Sequence, residues 1–78
     1  MTINKYYFSF GSSEFFPYQF GFVTIYASDL KEAIDLYRRK YPDRPGNEGT
    51  VNCSFMYHEA DVHDPLEAFG GQEWDVLA

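Results

Sequence analysis

Apolar and polar positions alternate with period two in "KYYFSFG", where Tyr6, Phe8 and Phe10 point one way and Tyr7 and Ser9 the other. Aromatic-rich alternation predicts a strand, which Gly11 ends. "GSSEFFPYQ" carries turn residues. "FGFVTIYA" alternates again, with Val23, Ile25 and Ala27 on one face and Phe22, Thr24 and Tyr26 on the other. In "SDLKEAIDLYRRKYP" the period changes. Leu30, Ala33, Ile34, Tyr37 and Tyr41 form one apolar stripe, predicting an amphipathic helix over Asp29–Lys40. Ser28 or Asp29 caps it, with Glu32 at capping-box spacing from Asp29. Arg38, Arg39 and Lys40 sit near its carbonyl end, and Pro42 stops it.

"TVNCSFMYH" predicts a third strand with Val51, Cys53, Phe55 and Tyr57 on one face. "DPLEAFGG" predicts a short helical turn, with Asp64 as cap, Pro65 at the first helical position and Gly70 as terminator. "QEWDVLA" reads as a tail anchored by Trp74. The expected fold is α+β, a single domain over residues 1–78 in the order β-β-α-β. It has a three-stranded antiparallel or mixed sheet, one helix packed on one face and a short C-terminal helical turn. The first strand belongs at the centre, because it is aromatic on both faces, with the other two antiparallel to it.

Composition sharpens this picture. Seventy-eight residues give a thin core. Eight Phe, seven Tyr and one Trp compensate with large apolar area per residue. The single cysteine, Cys53, lies between Val51 and Phe55, which predicts a buried thiol in a reducing cytoplasm. "MTINKYYF" does not read as a signal peptide, and no run approaches the roughly 20 apolar residues of a membrane span.

The net charge of −6 is unevenly placed. Residues 1–44 hold all six basic residues and five acids; residues 45–78 hold seven acids and no Lys or Arg. Polyanion binding requires cations to neutralise phosphates, so the second half points away from direct nucleic-acid binding. Its electrostatic complement is a basic protein surface. The spaced acids Glu59, Asp61, Asp64, Glu67, Glu73 and Asp75 form a candidate binding set that imitates a phosphate backbone, against the simpler reading of a solubilising surface. The aromatic loop offers Phe15, Phe16 and Tyr18 as partner-binding anchors. A structural role competes there too, since the same rings extend a thin core.

Catalytic and metal chemistry find little support. In "YHEADVHD", His58 and His63 are five apart, a spacing that converges on neither a helix nor a strand. Glu59 and Asp61 lie in a polar segment, without the burial that raises a carboxylic acid's pKa. Ser12, Ser13 and Ser54 lack a nucleophile elbow, and "FGSSEF" and "RPGNEG" lack phosphate-loop spacing. The expectation is a protein without catalytic residues, metal or cofactor.

The string "YYFSFGS…FPY…FVTIYASDLKEAIDLYRRKYPDRPG…VNCSFMY", spanning Tyr6 to Tyr57, resembles small uncharacterised proteins encoded by phages and prophages of Gram-positive bacteria. The shared motifs mark a fold and carry no catalytic residue. The resemblance implies an inhibitor of host defence, of the anti-CRISPR kind, whose partner is a host protein with a basic surface such as a CRISPR effector or nuclease. The alternative is a small nucleic-acid-associated or regulatory module of a mobile element; an enzyme is the third class.

Overall fold

The computed structural model describes residues 2–78. The elements run β1 (Asn4–Ser9), β2 (Phe22–Ala27), α1 (Leu30–Lys40), β3 (Phe55–His58), a 3₁₀ turn (Glu59–Asp61), α2 (Pro65–Ala68) and β4 (Glu73–Leu77). They form an α+β domain with a four-stranded mixed sheet in the order β3-β1-β2-β4. β1 is central and antiparallel to both β2 and β3, whereas β4 adds to β2 in parallel.

Alternation explains the two central strands. Tyr6, Phe8, Phe10, Val23, Ile25 and Ala27 are buried on the face that α1 covers. Tyr7, Ser9, Phe22 and Thr24 are buried on the opposite face. Asp29 caps α1, accepting from the Glu32 N–H at 2.8 Å, while Glu32 accepts from the Ser28 N–H at 2.8 Å. The helix buries Ala33, Tyr37 and, at its end, Tyr41. Tyr37 reaches furthest: its hydroxyl donates to the Asn52 carbonyl at 2.7 Å and its ring packs on Phe8.

Three expectations need correcting. The tail is a fourth strand. It is edge-paired and bulged between Phe22 and Val23, so its charged residues Glu73 and Asp75 gave no strand signal. The helix stripe is centred on Ala33 and Tyr37 with Ile34 and Leu36 at its sides. Leu30 is 41% exposed, because the first turn lies beyond the end of β2 at Ala27. The third strand begins only at Phe55, since the Cys53 N–H turns back to the Val51 carbonyl at 2.8 Å. Cys53 therefore enters the helix-side core, while Phe55 and Tyr57, paired with Ser9 and Tyr7, lie on the other face.

Candidate functional site

β3 and β4 occupy opposite edges of the sheet, so the chain between them must cross it. Phe69 shows which face it crosses. Its ring lies 5.3 Å from Tyr57, 5.4 Å from Phe22 and 6.2 Å from Tyr7, on the side opposite α1. The segment from Glu59 to Phe69 is thus a strap over the second face. Asp64 caps its helical turn, accepting from the Glu67 N–H at 3.4 Å. Pro65 follows in the first turn, where its missing N–H costs nothing.

Four acids of the candidate set, Glu59, Asp61, Asp64 and Glu67, are all exposed on this strap. The ion pairs among the described residues are Lys31–Asp35, Arg38–Asp43 and Lys40–Asp75, and none involves these four. Leu66 stands among them 55% exposed. The other two acids serve the fold. Glu73 accepts from the Thr24 hydroxyl and ties β4 to β2. Asp75 pairs with Lys40 and accepts from the Tyr41 hydroxyl at 3.0 Å, joining β4 to the end of α1. Lys40, then the Tyr41 hydroxyl and the Val76 N–H, hold the Asp75 carboxyl below its usual range, while partial burial opposes them.

The aromatic loop divides in the same way. Tyr18 stacks on Trp74 with centroids 4.4 Å apart and planes at 4°, and meets Phe10 and Tyr41 edge-on. Phe16 also packs on the core, so both rings have structural partners. Phe15 is 66% exposed, with the Arg44 guanidinium 4.5 Å above its ring.

In "YHEADVHD", His58 Nδ1 accepts from the Ala60 N–H at 3.0 Å, so its Nε2 carries the proton facing Asn4 Oδ1 at 3.2 Å. Asn4 in turn donates to the Ser28 carbonyl at 2.9 Å. His58 thus pins the end of β3 to the β2–α1 junction, and its ring meets Tyr6 edge-on. His63 is exposed. Among the described residues no three His, Cys, Asp or Glu side chains converge as metal ligands. Among the same residues no helix is long and apolar enough to cross a membrane.

Sequence reasoning missed two residues that shape the site. Phe69 organises the second face, and the only sequence signal was its place at the end of the predicted turn, just before Gly70. Leu66 carried no signal of its own in "DPLEAFGG", and the four-residue helix leaves it 55% exposed. Comparison with protein-family models, with curated proteins and with solved structures found no match.

Proposed function

We propose that this protein is a non-enzymatic, protein-binding inhibitor of phage type that acts in the host cytoplasm and uses its acidic strap against a basic protein surface. One observation carries the reading: Glu59, Asp61, Asp64 and Glu67 are exposed and, among the described residues, without an ion-pair partner, on one segment in a half of the chain without Lys or Arg. Carboxylates spaced two to three residues apart on a strap that Phe69 holds to the sheet, and whose helical turn Asp64 caps, resemble a short run of phosphates. A nucleic-acid channel in a host effector or nuclease offers the complementary potential. Leu66, exposed between Asp64 and Glu67 in the sequence, supplies an apolar contact of the kind that anchors interfaces. The resemblance of Tyr6–Tyr57 to small phage and prophage proteins supports the biological setting.

The test is capture from a lysate of a Gram-positive host on immobilised protein, with a variant carrying Glu59→Lys, Asp61→Lys and Glu67→Lys alongside. The expected result is a basic nuclease or effector component that the wild type retains, that added salt releases and that the variant fails to hold. Recovery of nucleic acid alone, or equal retention by the folded variant, would reject the reading.

A further inference from the structure

The 3₁₀ turn at the head of the strap, Glu59–Asp61, hangs on one histidine. A chain of hydrogen bonds fixes that histidine, and its direction is set at both ends. Asn4 Nδ2 donates to the Ser28 carbonyl at 2.9 Å, which leaves Asn4 Oδ1 as the acceptor facing His58 Nε2 at 3.2 Å. At the other end, the Ala60 N–H donates to His58 Nδ1 at 3.0 Å. A backbone carbonyl only accepts and a backbone N–H only donates, so neither end reverses. The chain accommodates one state of the ring, neutral with its proton on Nε2.

A protonated imidazole donates from both nitrogens. The Asn4 side tolerates the change, because Nε2 donates in either state. The Ala60 side does not, because Nδ1–H would point at another N–H. No carboxylate takes over: among the described residues none forms an ion pair with His58. At the β2–α1 junction, Asp29 accepts from the Glu32 N–H and Glu32 from the Ser28 N–H. On β1, Tyr6 presents only its ring to His58, and Lys5, beside Asn4, lies over the Tyr26 ring. On the turn itself, Glu59 and Asp61 are exposed. Little else holds the turn. None of its residues is buried, and the Val62 N–H reaches the Glu59 carbonyl at 3.3 Å.

We propose that His58 is a pH-sensitive latch, whose protonation releases the Glu59–Asp61 turn and lets these two acids move relative to Asp64 and Glu67. The later part of the strap stays in place through the Phe69 ring and the Asp64 cap. The latched turn excludes the second proton. It therefore persists above the value of a free imidazole, about 6.5, and loosens as pH falls below it. The latch belongs to the turn itself; only its effect on a basic partner rests on the function proposed above.

The experiment is NMR of the whole protein alone between pH 7.5 and 5.5, so its failure is separate from any failure of partner binding. Ring ¹⁵N shifts report the His58 tautomer, and water–amide exchange, corrected for its intrinsic pH dependence, reports the turn. His58 should carry its proton on Nε2 at pH 7.5. Protection at Ala60 and Val62 should fall about tenfold by pH 5.5, the factor by which proton uptake on a free imidazole favours the open turn over that range. Amides of β2 and of Glu67 should hold. His58→Asn supplies a capping acceptor that does not titrate, so it should keep the protection at both pH values. His58→Ala should be open at both, and His63→Ala should follow the wild type. Circular dichroism checks that each variant folds. A ring with its proton on Nδ1 at pH 7.5 overturns the proposal. So does protection at Ala60 and Val62 that stays constant down to pH 5.5, or the same loss of protection in folded His58→Asn.

Discussion

At the scale of single residues, the same chemical group takes opposite roles according to its neighbours. Glu59 and Asp75 are both carboxylates of the acidic half, yet Asp75 meets Lys40 and the Tyr41 hydroxyl and Glu59 faces solvent. Because Asp75 is held below the usual carboxylate value, its contribution to stability is complete above the unfolded value of about 3.9 and disappears as pH falls through the lower folded value. Chemical denaturation at a series of acid pH values should therefore show stability falling below about pH 4, and Asp75→Asn should flatten that fall. Cys53 gives a second residue-level test. Burial pushes its thiol up to about 12, and the residue is 8% exposed, in the core cluster with Tyr37 and Val51. Since the thiolate is the reactive form, a neutral-pH thiol reagent should label Cys53 only as fast as the protein opens, and rapidly in denaturant. Fast stoichiometric labelling of the native protein would contradict its place in the core.

At the scale of elements, β4 is the informative case. Its attachment depends on two backbones meeting where a side chain does not fit: a Cβ on Gly71 would lie 2.6 Å from the Gly21 nitrogen. Gly21 itself has φ +89°, where glycine alone is unstrained. The contact lets the Phe22 N–H reach the Gln72 carbonyl at 3.0 Å and Trp74 Nε1 donate to the Phe20 carbonyl at 2.6 Å. Gly71→Ala should loosen β4 without unfolding β1, β2 and α1. The expected signature is a red-shifted Trp74 emission and faster amide exchange at Val76 and Leu77, with helical circular dichroism retained. β1, β2 and α1 were legible in the sequence because their stability comes from local periodicity and a local cap. The fourth strand was not, because what holds it is a close approach between glycines 50 residues apart, a bulge and a salt bridge to a helix. The register of β3 was misread for a related reason: the turn at Cys53 shifts the chain off period two just before pairing begins. In the candidate site, the acids were legible as a set but their division was not. Separating Glu73 and Asp75 from the strap requires knowing that Thr24 and Lys40 lie beside them.

At the scale of the whole molecule, the crossing from β3 to β4 places the exposed strap acids on one face and α1 on the other. That segregation is the basis of the proposed binding mode. Exposed charges act mainly before contact, by steering, and are screened within about 8 Å at physiological ionic strength. Apolar anchors act after contact, so Leu66→Ala should speed dissociation and leave the salt dependence of association unchanged. The most direct measurement is the association rate with the captured partner at several salt concentrations, for wild type and for the triple variant Glu59→Lys, Asp61→Lys and Glu67→Lys, with circular dichroism on both. Asp64 is left intact because it caps α2. The account predicts fast, salt-sensitive association for the wild type and slow association with little salt dependence for the folded variant. A variant that associates as fast as wild type at low salt would contradict it, and the strap acids would then be no more than solvated surface.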